Sequence, residues 1–325
     1  MHTSKNISVV IPTYNGSKFI EETIKSVFCQ KVLPREIIVV DDVSKDNTKD
    51  IVLRLSSISP IPLHFFQLDK NSGGPAEPIN TGIKKAKGKY IAICEQDDCM
   101  LPNKIKMLDE FISLEPQVQF IISRYKVLVS KNVKDCAIQD DSYSEFENIK
   151  KFPIKEPFYL LDKRSAYKKA LDKCFAASLS NMCFSKELWY SLKGLNKKIK
   201  RAVDWDFLLR VSHGYQIGWI DQVLWKFRRH SESIVRKTDI LMWGKDYIEI
   251  WTTQLKLVND SKERLEIKRR FSNQLAGVAY RARGMGDYNF ALKCYLYQLV
   301  KCKRFTSVID IGKLGIHFMI KNNRK

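Results

Sequence analysis

Five short apolar runs in the first 125 residues alternate with segments of helical period, and this alternation restricts the fold more than any other feature. Ile7-Ser-Val-Val-Ile11, Glu36-Ile-Ile-Val-Val40, Leu63 to Leu68, Tyr90-Ile-Ala-Ile-Cys94 and Val118 to Ile122 are each too short for a core helix. They read as buried strands. Between them, helices are predicted over about 19–28, 47–58, 75–87 and 102–114. Ser17 is the predicted cap of the first, and Glu21 and Glu22 occupy its first turn, where the helix dipole favours acids. Strands that are apolar almost throughout and alternate with helices imply an α/β fold: a mostly parallel, Rossmann-like sheet with helices on both faces.

In such sheets ligands bind beyond the carboxyl ends of the strands. Here those ends carry Thr13-Tyr14-Asn15, Asp41-Asp42 and Glu95-Gln96-Asp97-Asp98. Three carboxylates in four residues repel one another unless a cation joins them. Mg²⁺ or Mn²⁺ fits hard oxygen ligands shared with phosphates. A solvated acidic turn is the alternative for this cluster alone, and the acidic pair at the neighbouring strand end favours a metal–nucleotide site. Asp204 and Asp206 open a predicted amphipathic helix, where they either compensate the dipole or supply a general base. Phe227-Arg228-Arg229-His230 follows a strand-like run and offers cationic and imidazole donors to a departing diphosphate, or is a basic surface turn.

The 325 residues imply one large domain or two unequal ones, and 44% apolar and 28% charged residues exclude a disordered chain. The net charge of +20 calls for a polyanionic neighbour: nucleic acid, an anionic membrane surface or phosphorylated substrates. The eight cysteines have no CxxC spacing and read as reduced thiols of a cytoplasmic protein. Met1 to Asn6 are polar and lead straight into a strand, so no signal peptide is expected. No apolar run of 18 residues predicts a membrane span.

Residues 126–172 lose periodicity and read as a variable connection, and strands are expected over 215–220 and 223–227. The expected division is 1–237 and 238–325, the second part being helical, with helices over 290–300 and 305–320. Between Arg236 and Lys325 stand 19 basic and 8 acidic residues, so this stretch carries 11 of the 20 net charges. Tryptophans among basic residues suit peripheral contact with an anionic membrane, on the inner face. A helical extension packed on the core, or a homodimer contact, is the equal alternative.

The motifs taken in order resemble those of the family 2 glycosyltransferases, which have the GT-A fold. Ser8-Val-Val-Ile-Pro12-Thr-Tyr-Asn15-Gly16 resembles the family's opening strand and nucleotide loop. Ile38-Val-Val-Asp41-Asp42-Val-Ser44-Lys-Asp46-Asn-Thr48 resembles its second acidic motif. Asn71-Ser-Gly-Gly-Pro75, Asn80-Thr-Gly82 and Ala86-Lys-Gly88-Lys-Tyr90 are similar to the approach to the metal motif, where Glu95-Gln-Asp97-Asp98 stands. Asp204-Trp-Asp206 and Phe227-Arg-Arg-His230-Ser-Glu-Ser233 resemble the acceptor-side acid and the closing segment. The resemblance spans roughly residues 7 to 235.

It implies an inverting, metal-dependent transferase with a nucleotide-sugar donor. A UDP-sugar comes first, with dTDP-rhamnose open. The implied acceptor is a glycan or lipid-linked glycan of surface polysaccharide (lipopolysaccharide or capsule) biosynthesis. By position, Pro12, Thr13, Tyr14, Asn15, Asp42 and Asp97 would hold the nucleotide. Asp98 and His230 would hold Mn²⁺ or Mg²⁺, Asp204 would be the base, and Arg228 and Arg229 would assist at the diphosphate. Glu95 replaces an aspartate of the family motif, Val203 replaces the acid often found before the base, and Asp206 is the alternative base. No nucleic-acid partner is expected, since acidic strand ends repel phosphates without metal. A basic nucleic-acid-binding protein and a nucleotidyltransferase are the competing classes.

Overall fold

The computed structural model describes residues 2–129, 142–230 and 240–312. The chain forms two compact units, one of residues 1–197 with 203–233, the other of 198–202 with 234–325. The expected boundary at 237/238, Ser231 to Ser233 of the closing motif, and the second half of the helix expected over 305–320 lie outside the described residues.

The first unit is built on a ten-stranded sheet. Its strands are β1 (Ile7–Thr13), β2 (Glu36–Asp41), β3 (Leu63–Gln67), β4 (Tyr90–Ile93), β5 (Cys99–Met100), β6 (Phe120–Val129), β7 (Lys151–Lys155), β8 (Phe158–Leu161), β9 (Cys183–Ser185) and β10 (Ile217–Arg229). The order is β3-β2-β1-β4-β9-β6-β10-β8-β7, with β5 on β10. Strands β3, β2, β1 and β4 run parallel, as do β6 and β10. Strand β9 is wedged antiparallel between β4 and β6. The α/β reading of the sequence holds, and its mostly parallel sheet acquires antiparallel members from the second half of the unit.

Helices α1 (Ile20–Phe28), α2 (Thr48–Ser56), α3 (Ala76–Lys85) and α4 (Lys104–Leu114) connect the early strands. Strand pleat sends alternate residues to opposite faces. Val9, Ile11, Ile37 and Val39 join one core with Ile24, Val27, Val52 and Phe111 of α1, α2 and α4. Val10 and Val40 face α3, where a Cβ on Gly82 would stand 2.6 Å from Val10 Cγ1. That close approach explains a glycine inside α3. Helices α5 (Lys163–Asp172), α6 (Lys186–Ser191) and α7 (Val203–Gly214) follow. Phe207 of α7 stacks edgewise on Phe184 and Phe120 of the sheet.

Some elements differ from expectation. Ser17 does not cap α1: Phe19 precedes the helix with no side-chain cap bond, and the Ser17 N–H donates to Asp46 instead. The strands expected at 215–220 and 223–227 are one strand, β10, whose register against β6 shifts between Ile220 and Trp225. Such bulges interrupt the apolar alternation and make one strand read as two. Within 126–172, expected as a connection, the described residues include the rest of β6, the β7–β8 hairpin and α5.

The described residues of the second unit include α8 (Ile240–Leu257), α9 (Ser261–Gly284) and α10 (Tyr288–Cys302). Asp260 and Asp287 cap α9 and α10 by accepting the Glu263 and Phe290 N–H groups. Trp251, Phe271, Leu275 and Ala279 are fully buried. Buried Asp246 accepts the N–H groups of Lys200, Arg201 and Ala202 at 3.0, 2.7 and 3.1 Å, which ties residues 198–202 to this unit. Among the described residues no helix is long and apolar enough to cross a membrane. The described cysteines are free thiols.

Candidate functional site

Parallel pairing brings the ends of β1, β2 and β4 to one rim. Pro12 lies in β1 beyond Val10, the last residue paired with β4, so its missing N–H falls where one neighbour has ended. Past β1 the chain turns through Asn15, at φ 49°, a conformation that asparagine tolerates better than most residues.

The acidic motif after β2 acts largely as a scaffold for that turn. Asp41 is buried and accepts the Ser44 N–H at 2.8 Å, the Ser44 hydroxyl and the Gln67 amide. The Ser44 hydroxyl in turn accepts the Asn15 N–H at 2.8 Å, and Asn15 Oδ1 accepts the Lys45 N–H. Asp46 accepts from Ser17 N and from Thr48, whose hydroxyl accepts the Gly16 N–H. Asp42 is held by Ser72, through its N–H at 2.7 Å and hydroxyl at 2.9 Å. Burial raises the Asp42 pKa, and the Ser72 bonds oppose that rise.

After β4 the carboxylates have distinct environments. Asp98 is 1% exposed and accepts the Arg228 N–H at 2.8 Å. Glu95 accepts the Ser178 hydroxyl at 2.6 Å, and its own N–H donates to Ser180 Oγ. Burial and then the charge of Asp97 push the Glu95 pKa up to about 8. The same causes, with Glu95 added, raise that of Asp98. Asp97 turns to His230, whose Nε2 lies 2.9 Å from Asp97 Oδ2. The Phe19 ring lies 4.6 Å from the His230 ring. The Arg228 guanidinium reaches the Asp97 carbonyl and Glu22, while that of Arg229 stacks on Phe227.

The two candidate bases separate. Asp204, half-buried in the first turn of α7, accepts the Trp205 N–H at 2.8 Å, and its charge helps raise the Glu95 pKa. Asp206 is fully buried and pairs with Arg210 at 2.9 and 2.7 Å, and Arg210 also donates to the Leu192 and Gly194 carbonyls. Asp206 serves the packing of α7.

Four residues of this region have roles that the sequence does not assign. Ser72, Ser178 and Ser180 sit in segments whose composition signals only turns. Lys104 is 1% exposed, donates to the Ser180 carbonyl and lies 5.6 Å above the Trp225 ring. Burial lowers its pKa to about 8. A lysine in an amphipathic helix normally reads as solvated, and its one mark in the sequence is its place in Pro102-Asn-Lys104, after the metal motif of the resemblance.

Among the described residues, no three His, Cys, Asp or Glu side chains stand together as a ready metal cage. The donor set still fits Mg²⁺ or Mn²⁺. These ions are held through one or two carboxylates plus substrate phosphates. Asp97, turned to His230, and buried Asp98 are the carboxylates available for that.

A family model described as glycosyl transferase family 2 matches residues 8–179. The chain is 28% identical over 258 residues to glycosyltransferase GlyG of Streptococcus pneumoniae serotype 4, covering 78% of this chain and 80% of that one. It is 33% identical over 151 residues to the uncharacterized glycosyltransferase RP339 of Rickettsia prowazekii, a match that spans 46% of each chain and thus under half of that relative's length. The structure of S. aureus TarS 1–349 in complex with UDP-GlcNAc superposes with a TM-score of 0.64 at 19% identity, over 89% of this chain and 80% of that one. At that identity the likeness shows the fold, which is the one expected from the motifs.

Proposed function

The chain belongs to glycosyl transferase family 2, and on that premise we propose that it moves a sugar from a nucleoside diphosphate to a hydroxyl of a glycan or lipid-linked glycan. The observation that carries this reading is the meeting of the β1 turn with the Glu95–Asp98 segment, joined by Gln96 to Thr13 and Tyr14 and by Asp97 to His230, with Asp204 proposed as the base beside it. A nucleotide donor needs a base-holding loop, an anchor for its diphosphate and a base for the acceptor, and the rim offers candidates for all three.

In this reading Pro12, Thr13, Tyr14, Asn15 and Asp42 surround the nucleoside. Asp97 and Asp98 face the diphosphate and, with His230, would hold a divalent cation. When bound, that cation offsets the charge of the leaving diphosphate. Asp204 takes the proton of the acceptor hydroxyl as the hydroxyl oxygen bonds to the anomeric carbon. The bond from that carbon to the diphosphate oxygen breaks in the same displacement, so the configuration inverts. One base suffices, because no enzyme carboxylate attacks the sugar. Arg228 is committed to Glu22 and the Asp97 carbonyl. Its part is to hold the end of β10 against the acids rather than to meet the donor.

A UDP-sugar is the first candidate donor, supported by the UDP-GlcNAc in the TarS structure. A surface polysaccharide acceptor is supported by the name of the S. aureus relative TarS, a poly(ribitol-phosphate) β-N-acetylglucosaminyltransferase. Calorimetric titration with UDP, dTDP and GDP, with and without Mn²⁺, tests the reading on wild type and Asp98→Ala. Metal-dependent binding of one diphosphate, lost in the variant, is expected. Release of pyrophosphate rather than a nucleoside diphosphate during turnover would instead indicate nucleotidyl transfer.

A further inference from the structure

Gln96 lies between the acids of the β4 end, but its side chain does not join them. Its Oε1 accepts the Tyr14 N–H at 2.8 Å and its Nε2 donates to the Tyr14 carbonyl at 3.2 Å, so the amide and the Tyr14 backbone groups pair in both directions. The same Oε1 accepts the Thr13 hydroxyl at 2.7 Å. The backbone on either side is pinned as well: the Thr23 hydroxyl of α1 lies 2.7 Å from the Gln96 carbonyl and 2.8 Å from that of Asp98. Gly16 closes over this pairing. A Cβ there would stand 2.5 Å from Gln96 Oε1 and 2.6 Å from Thr13 Oγ1. A side chain at that point would displace the amide from this pairing.

An amide side chain presents an acceptor and a donor side by side, which matches a peptide group in both directions. Ionised glutamate in its place keeps the two accepting contacts and loses the donated one. Methionine keeps the volume and loses all three. The contacts join two loops with different proposed tasks: the turn at 13–16, which surrounds the nucleoside, and the acids at 97–98, which face the diphosphate.

We propose that Gln96 is a positioning residue that sets the nucleoside-holding turn after β1 in register with Asp97 and Asp98, and so determines how well the protein discriminates between nucleobases. This rests on the nucleotide-sugar reading of the site. The diphosphate is common to all donors and the base is not. A turn released from Gln96 therefore loses its selectivity between bases while the anchoring of the diphosphate persists.

The test measures dissociation constants for UDP, dTDP and GDP with Mn²⁺ on wild type, Gln96→Met and Gln96→Glu, with a thermal melt of each. Gln96→Met is expected to weaken the preferred diphosphate about tenfold and the least preferred one by no more than about twofold, so their ratio collapses. Gln96→Glu is expected to fall between wild type and Gln96→Met. If Gln96→Met does not fold, a reduced ratio in Gln96→Glu supports the proposal and an unchanged one overturns it. An unchanged ratio in a folded Gln96→Met, or equal weakening of all three diphosphates, makes Gln96 merely structural and overturns the proposal while the donor reading stands. A wild type that binds none of the three removes the donor reading, and this proposal falls with it.

Discussion

His230 and Asp97 are 133 residues apart in sequence, and their side chains meet at 2.9 Å at the end of β4. The histidine side chain is 7% exposed and the aspartate 23%. The long register of β10 against β6 carries His230 to this place, and the neighbouring Arg228 N–H reaches Asp98. The closing segment of the unit is thereby fastened to the acids that are proposed to anchor the diphosphate.

Replacing His230 with Ala leaves Asp97 without this donor, so the acid is free to turn away. A fall of about tenfold in kcat/KM for the donor is expected, the size of one well-made hydrogen bond to a charged group. Steady-state kinetics at saturating acceptor measures it. Equal kcat/KM in wild type and variant would remove His230 from the site.

Asp204 and Asp206 are expected to respond oppositely. Asp204→Asn should leave the melting temperature nearly unchanged and lower kcat by about 10²–10⁴, the usual contribution of a general base. Asp206→Ala should destabilise the fold by about 3–5 kcal/mol, because Arg210 would remain as a buried, uncompensated charge. Chemical denaturation and single-turnover kinetics on both variants separate the roles. A stable, inactive Asp206→Ala would reverse the assignment.

Glu95 makes stability pH-dependent. Its folded pKa is raised from 4.5 to about 8, so the unfolded chain loses this proton first as the pH rises. Stability from this group is greatest below pH 4.5 and declines through the window up to about 8. Glu95→Gln should therefore melt higher than wild type at pH 8 and flatten the slope of stability between pH 5 and 8. Each kcal/mol recovered corresponds to about 2–4 °C. Differential scanning fluorimetry across pH, without added metal, reads this; a variant that melts lower than wild type at pH 8 contradicts the burial argument.

The same repulsion should couple to metal. Mn²⁺ bound to the native acids stabilises by mass action, and the gain should be larger at pH 8 than at pH 6, where Glu95 keeps its proton. Melting curves with and without millimolar Mn²⁺ at the two pH values give the comparison. An equal shift at both would uncouple Glu95 from the cation.

The second unit exposes Leu265, Tyr280, Val300 and Phe305 among many basic residues. Each Lys or Arg near an anionic bilayer contributes about 1 kcal/mol at low salt. Co-sedimentation with phosphatidylglycerol vesicles is expected at low salt, weakening as salt rises, with none on phosphatidylcholine. Absence of binding to both leaves the basic surface solvated.

Much of the site is legible in the amino-acid sequence. The strands β1, β2 and β4 announce themselves by apolar runs ending in Thr13, Asp41 and Glu95, and parallel pairing then obliges those ends to share a rim. What the sequence hides is the division of labour at the rim. Asp41 and Asp46 look like ligands and serve as scaffold, because a turn with a left-handed Asn15 needs acceptors for its N–H groups. Ser72, Ser178 and Gln96 carry no role of their own in the sequence reading and orient the acids or the turn.

The pair Asp204 and Asp206 shows where the boundary lies. Sequence alone determined that two acids begin a helix that follows the acidic strand ends. Successive helical residues are about 100° apart, so acids two positions apart point roughly 200° away from each other and only one can face a given rim. Which one does so depends on the face of α7 that packs on Phe184 and Phe120, and on Arg210 meeting the Leu192 and Gly194 carbonyls. Local pattern fixes the period of a helix, whereas its rotation about its own axis is set by distant residues, and only the tertiary structure decides it.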